Sequence, residues 1–570
     1  MKKYFSALQI LLFFAWPSFA ADLNGYTAQY ECRAGGPNCN VDVATLTAAA
    51  CAQTITTADS EATIESKLNT GSSPICVTNG DYTAKGQIDI TASGTSGAYR
   101  VMRYFRASDN DDEPWNQSGA NQAIFKRIMI SGSFWIIHRI TINRNDGAAS
   151  ESLSGSADNI LSRVLMQNST GWHFAMKGAR ITVQNSVIRK TGDNFNAGSD
   201  EHCLSYSVGT IDSHVVNNEI YDCTGDGMQA QNGAGAVGMV VENNDFYVSP
   251  DYYSDGNGNL TPSGTEACAE NALDIKRPGA IATNPAKIIH NRFWGFKRTD
   301  SLCGGTGSAG EAIIVHGDLT GASDYVLVQN NIFMDSPRAL GMDAEDAANV
   351  SFIGNIGYNM RQTGSGTGAF FSMSDATNSE FYLNSLVIAE DAWGYVNGSN
   401  NDIRCNVIID SPPHGSGPRS GVQVDFNVYY GVSGTKIDTK KIDKTLNTRA
   451  NSTAYTKGDI IRTSTNPTTA CTATNNSSAC FLYLVTTPGT SASSNPGYCN
   501  TLGCTQQDGM MQVRAIRGPY TFFRKLRTSP ESYTIPYVRV YASTTNPLEN
   551  SPDAFTCPSD YNTRPGIGIN

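Results

Sequence analysis

Through the middle of the chain, short runs of alternating apolar and polar residues recur, each opening on an asparagine. They are Asn185-Ser-Val-Ile, Asn218-Glu-Ile-Tyr, Asn244-Asp-Phe-Tyr, Asn291-Arg-Phe-Trp, Asn331-Ile-Phe-Met, Asn355-Ile-Gly-Tyr, Asn384-Ser-Leu-Val, Asn406-Val-Ile-Ile and Asn427-Val-Tyr-Tyr. The asparagines are spaced by 33, 26, 47, 40, 24, 29, 22 and 21 residues. A base period of about 21–24 with insertions predicts a solenoid, whose coils bury their apolar faces only by stacking. One asparagine at the same corner of each coil suits the left-handed backbone region and a ladder of side-chain hydrogen bonds between coils.

A second repeat follows these corners. His202-Cys-Leu-Ser-Tyr-Ser aligns with Asp226-Gly-Met-Gln-Ala-Gln, Asn271-Ala-Leu-Asp-Ile-Lys, Glu311-Ala-Ile-Ile-Val-His and Arg338-Ala-Leu-Gly-Met-Asp. The second position is small, the third and fifth are mostly apolar, and the first, fourth and sixth are mostly polar. On a strand this pattern faces inward at three and five, and positions one, four and six line one outer face. Parallel strands of adjacent coils lie ~4.8 Å apart, so Gln231, Lys276, His316 and Asp343 are predicted to form one column. Ser205, Gln229 and Asp274 form the column beside it, and Asp226, Asn271, Glu311 and Arg338 stand where the strands begin. The stretch Glu270-Asn-Ala-Leu-Asp-Ile-Lys-Arg-Pro278 lies at the centre of this face. The two largest spacings, 47 and 40, flank it. Residues 248–268 and 297–310 are therefore expected as loops walling a cleft over the columns. Lys276 beside Asp274 also reads as a solvated ion pair, and His316 as a structural residue.

The repeats occupy residues 71–445. Before them, Asp59-Ser60 opens a short helix, Glu61 to Leu68, expected to cap the first coil, and residues 21–70 form a cysteine-containing segment with this cap. Residues 1–20 read as a secretory signal: Lys2 and Lys3, an apolar core from Leu8 to Trp16, then Ser18-Phe-Ala20 as a small-x-small cleavage site. That apolar core is too short to span a membrane, and no second long apolar run follows. Composition changes near residue 450. Residues 446–516 are expected as a small β module and 517–570 as a tail packing back on the coils.

Composition narrows the function. Of 570 residues 54 are glycine and only 16% are charged, which favours a turn-rich β protein. A net charge of −11 argues against nucleic acid or an anionic membrane as partner. An acidic polysaccharide stays open, because a local basic patch or bound cation reverses the field locally. The fourteen cysteines fall largely in near neighbours: Cys32/Cys39, Cys51/Cys76, Cys203/Cys223, Cys268/Cys303, Cys471/Cys480 and Cys499/Cys504, with Cys405 and Cys557 left over. In an exported chain an even count favours disulfides. The mature protein is expected to be secreted, soluble and monomeric.

The ladder and the period resemble the pectate-lyase-like superfamily of right-handed parallel β-helices over about residues 70–440. The resemblance implies an all-β solenoid and a function among polysaccharide lyases, hydrolases, epimerases and tailspikes. Glu270-Asn271-Ala-Leu-Asp274 resembles the acidic calcium-binding coil of polysaccharide lyase family 9. Carried over, Glu270, Asn271 and Asp274 become candidate Ca2+ ligands, with Asp226 from the preceding coil; calcium takes six to eight oxygen ligands. Asn271 stands where that family has a carboxylate, and its Asn-Gly-Phe-Lys motif is absent. Ala454-Tyr-Thr-Lys-Gly-Asp, Thr486-Thr-Pro-Gly-Thr-Ser491 and Asp508-Gly resemble small modules of phage tail proteins and secreted glycan-active enzymes, implying sugar binding or a spacer.

β-Elimination on a uronic acid needs a group that neutralises the carboxylate and a base for the neighbouring proton. Lys276 is the candidate base, His316 the alternative, and Arg338 the carboxylate holder. Two other readings stay open: a hydrolase using carboxylates among Asp226, Glu270, Asp274 and Glu311, and a non-catalytic glycan-binding surface protein.

Overall fold

The computed structural model describes residues 41–538 apart from 106–113, 118, 144–148, 192–200, 208, 224, 232–235, 249–269, 277–278, 297–310, 318–323, 335, 343–346, 361–367, 390–392, 395, 410–420, 426, 431–441, 445, 457–458, 464–480, 501–503 and 524–531. The signal segment, nearly all of both expected cleft loops, Asp343 and most of the tail thus lie outside the described residues.

The chain folds as a right-handed parallel β-helix. Each coil gives one strand to each of three sheets, as Met228–Ala230, Val240–Glu242 and Asp245–Tyr247 do before Leu273–Lys276 begins the next turn. The first sheet carries the second sequence repeat, in eleven described strands from Gln87–Ile90 to Val396–Ser399. The second and third sheets have fourteen each. The register is the one the repeat predicts. Leu204, Met228, Leu273, Ile313, Leu340 and Phe371 pair in succession as one inward stack. Elsewhere in the core, Phe246, Phe293 and Phe333 stack at 5.3 and 4.9 Å. Such contacts explain why strands of three to six residues suffice: each coil's apolar side is buried by its neighbours.

The asparagine ladder is present, with two adjustments. Asn218, Asn244, Asn291, Asn331, Asn355, Asn384, Asn406 and Asn427 form it: from Asn244 onward each side-chain oxygen accepts the backbone N–H and amide of the asparagine one coil earlier. The left-handed residue is the one before the ladder asparagine, as at Asn217, Asn243, His290 and Asn330. Asn185 is itself such a residue (φ 51°), and Ser186 takes the ladder place in its coil. The turn needs its positive φ at the bend. The amide that bonds up and down the stack must point inward from the next residue.

Two short helices, α1 (Val43–Ala48) and α2 (Glu61–Thr70), precede the coils. Ser60 caps α2 by accepting the N–H of Thr63, and Ile64 and Leu68 are sealed against Ile55, Ile75 and Ile88. The helix begins at the expected residue and runs two residues past the expected end. The C-terminal module is a mainly antiparallel sheet. Its strand Met511–Phe523 runs past residue 516 and pairs with Ser532–Val538, so the sheet takes in the start of the segment expected as tail. Disulfides Cys51–Cys76, Cys203–Cys223 and Cys499–Cys504 join near neighbours as the spacing suggested.

Candidate active site

Lys276 and His316 are register partners on adjacent strands of the first sheet, and Gln229 pairs with Asp274 one column over. Asp274 is the hub. Its Oδ2 lies 3.1 Å from Lys276 Nζ and its Oδ1 lies 3.4 Å from His316 Nε2. The Asp274 side chain is 4% exposed, whereas Lys276 and His316 are 29% and 23% exposed. A nearly buried carboxylate therefore lies between a lysine and a histidine that both reach solvent. The next two outward positions in the Asp274 column are Ile314 and Gly341, which form a low floor beside it.

The residues that begin the strands behave differently. Asp226 is sealed from solvent. Its Oδ1 accepts the backbone N–H and side-chain amide of Asn271 at 3.2 and 2.9 Å, and its Oδ2 accepts from Gln229 at 3.3 Å. Gln229 Nε2 also reaches Asp274 Oδ2 at 3.5 Å, joining buried and outward carboxylates. The Asn271 side-chain oxygen accepts the N–H of Glu311 at 3.1 Å. Glu311, also sealed, pairs with the Arg338 guanidinium, which is 20% exposed. The Glu311 carboxylate occupies the place a side chain at 341 would take: a Cβ there would lie 1.8 Å from Glu311 Oε2. Asp226, Asn271, Glu311 and Arg338 thus form a second ladder, buried and polar, beside the first sheet.

His202 heads this ladder, packed on Trp172 with ring centroids 5.2 Å apart. Burial pushes its imidazole down to about 3, with Asp274 opposing and Lys276 adding to the shift. At neutral pH it is uncharged, so its 3.3 Å approach to Asp226 Oδ2 is not an ion pair; its Nδ1 accepts the Asp226 N–H instead. His202 shared the first repeat position with Asp226, which was the signal that it belongs to this group.

The four candidate calcium ligands make other contacts in this structure. Asp226 and Asn271 spend their oxygens on N–H donors, and Asp274 faces a lysine and a histidine. Glu270, partly exposed, donates its backbone N–H to Gly225. Among the described residues, no group of three or more His, Cys, Asp or Glu is arranged to hold a metal.

No protein-family model matches the chain, and no curated protein matches it. Its fold is similar to an alginate lyase from Paenibacillus sp. str. FPU-7 (15% identity, 57% of this chain and 99% of that chain, TM-score 0.39). It is also similar to a pectate lyase (13% identity, 59% and 82%, TM-score 0.36). A third similar structure is a surface adhesin of Streptococcus pneumoniae (10% identity, 77% and 90%, TM-score 0.34).

Proposed function

We propose that this protein is an exported lyase that cleaves a uronic-acid-containing polysaccharide by β-elimination on the outer face of the first sheet. The observation that carries the reading is Asp274 set between Lys276 and His316, 3.1 and 3.4 Å away. A carboxylate so placed keeps Lys276 as the cation of an ion pair, suited to meeting the substrate carboxylate. His316 Nε2 lies 3.4 Å from the same carboxylate, and in this proposal the other ring nitrogen, Nδ1, is the one that meets substrate as a base. The proposed base is therefore His316, with Lys276 as the neutralising group, reversing the order that sequence alone favours.

In the step, His316 Nδ1 takes the proton on the carbon bearing the carboxylate. The electrons of that C–H bond form a double bond to the adjacent carbon, and its bond to the leaving sugar oxygen breaks. Lys276 offsets the charge that develops on the carboxylate and supplies a proton to the departing oxygen, and solvent reprotonates it. Arg338 begins its strand five positions from the His316 register. At ~3.3 Å per residue that is roughly 16 Å along the sheet, and the proposed role is to hold a carboxylate of a neighbouring sugar. No step runs through calcium.

A hydrolase would need two carboxylates facing one bond. Of Asp226, Glu270, Asp274 and Glu311, two are sealed and hydrogen-bonded, which weighs against that reading. The test is incubation with alginate, pectate and glycosaminoglycans, with and without chelator, following the ultraviolet absorbance of unsaturated uronates. The expected result is absorbance from one polymer class, unchanged by chelator. New reducing ends without that absorbance would instead show hydrolysis. Retained glycan binding with no product would identify a binding protein, and loss on chelation restored by calcium would return the cation to the mechanism.

A further inference from the structure

We propose that Gln229 is a positioning residue for the reaction: braced by His202, it sets the Asp274 carboxylate so that one oxygen serves Lys276 and the other faces His316. The proposal rests on the lyase reading above. Gln229 is 5% exposed and pairs with Asp274 in the register of the first sheet. Its Nε2 lies 3.3 Å from Asp226 Oδ2 and 3.5 Å from Asp274 Oδ2. An ionised carboxylate only accepts hydrogen bonds, so the amide nitrogen must face both. The amide oxygen is thereby turned the other way.

His202 takes that oxygen. Its Nδ1 accepts the backbone N–H of Asp226 at 3.3 Å, which places the ring proton on Nε2. Gln229 is a side-chain hydrogen-bond partner of His202 and favours a protonated ring nitrogen, as an accepting oxygen does. A flipped amide would set its oxygen against two carboxylates and its N–H groups against another N–H. The donors therefore run in one direction: Asp226 N–H to His202, His202 Nε2–H to Gln229, and Gln229 to Asp226 and Asp274. His202 is 1% exposed and packs on Trp172, so the ring that sets this direction is itself fixed.

The consequence falls on the two oxygens of Asp274. Oδ2 meets two donors, Gln229 and Lys276. Oδ1 is buried without a hydrogen bond of its own, and His316 Nε2 lies 3.4 Å from it. With Gln229 removed, Lys276 pulls the carboxylate toward itself and nothing keeps Oδ1 aimed at His316. Gln229 is buried under the face that meets substrate, so it acts on the base only through Asp274. An amide with a purely structural role would instead hold Asp226 and Asp274 together, and its loss would cost stability without reaching kcat.

The test uses the whole protein with Gln229→Met, which keeps the length of the side chain and loses the amide, and with His202→Gln and His202→Phe. The chain has seven histidines, few enough for their ring nitrogens to be resolved by NMR after isotope labelling of histidine alone. His202 is expected as the Nε2–H tautomer, and Gln229→Met is expected to move the His316 ring signals. An Nδ1–H tautomer, or His316 signals unmoved by Gln229→Met, would overturn the proposal. That readout needs no turnover, whereas failure of the lyase reading shows as a parent protein that gives no unsaturated product. On a polymer the parent cleaves, Gln229→Met is expected to lower kcat about 10-fold or more with KM changed by less than about twofold. His202→Gln, with an amide N–H in place of Nε2–H, is expected to retain most of the kcat that His202→Phe loses. Equal kcat for these two would refute the brace even where Gln229→Met fails to fold. In a His316→Ala background, Gln229→Met is expected to lower kcat no further, because both changes act on one group. An equal loss in both backgrounds would show that the amide is structural only.

Discussion

Asp274 makes a prediction at the residue scale that separates chemistry from folding. His316→Ala and Lys276→Ala each remove a solvent-reaching group, and neither leaves a cavity in the core. Each is expected to lower kcat by about 10²-fold or more; His316→Ala is expected to leave the melting temperature nearly unchanged, while Lys276→Ala lowers it, because the nearly buried Asp274 loses its 3.1 Å partner. Arg338→Lys keeps a cation but loses the planar fork, and is expected to raise KM more than it lowers kcat. Steady-state kinetics and thermal melts on the same preparations decide both. A His316→Ala enzyme with full kcat would remove the proposed base. The sequence made the neighbours of Lys276 legible, because the repeat fixes register and register fixes who lies above whom. It did not reveal depth. Asp226 and Glu311 read as outward polar residues, since a polar first position looks the same whether water or a stacked amide satisfies it. The hydrogen bonds that seal them come from residues 45 and 40 positions away, Asn271 to Asp226 and Glu311 to Asn271.

At the scale of the element, two ladders run along the stack: the asparagine ladder at the corner between the second and third sheets, and the buried polar ladder where the strands of the first sheet begin. The asparagine ladder was legible as a period, and the structure moved it by one residue only at Asn185, where Ser186 bonds inward. The buried polar ladder was not legible as a structure, though its members were singled out. Gly341 is the point where it can be tested. An alanine there would place its Cβ 1.8 Å from Glu311 Oε2, so the carboxylate must leave its seat and its pairing with Arg338. Displacing a buried, paired carboxylate is expected to cost about 3 kcal/mol or more, measured as a fall in denaturant midpoint. The same change at Gly97, where a Cβ meets nothing, is the control and is expected to be near neutral. Asn291→Ala removes a buried amide that bonds Val241 O and both neighbouring asparagines. It is expected to cost about 1–3 kcal/mol, the price of leaving buried groups unsatisfied, with little effect on KM.

For the whole molecule, histidine burial sets the acid limit of the fold. His138, His202 and His214 are all held uncharged by burial: His138 well below the ordinary imidazole value, His202 at about 3 and His214 at about 4. Arg139, Arg163 and Arg103 add to the shift at His138, while Glu242 and Asp212 oppose it at His214. In the unfolded chain each would titrate near 6.5. Between pH 6.5 and the depressed folded values the unfolded state binds more protons than the native one, so stability rises with pH across that window. The contribution is fully present above pH 6.5 and declines as pH falls toward 4. Each histidine contributes a slope of about 1.4 kcal/mol per pH unit within its window. His202 and His214 share one coil and His138 lies on an earlier one, and their slopes add where the coils unfold as one cooperative body. Thermal melts at pH 7, 6, 5 and 4 are expected to show a melting temperature that falls with increasing steepness below pH 6.5. His214→Gln is expected to flatten the profile between pH 6.5 and about 4, even where it lowers stability at pH 7. A profile flat from pH 7 to 4 would mean that these imidazoles are not held neutral inside the folded helix.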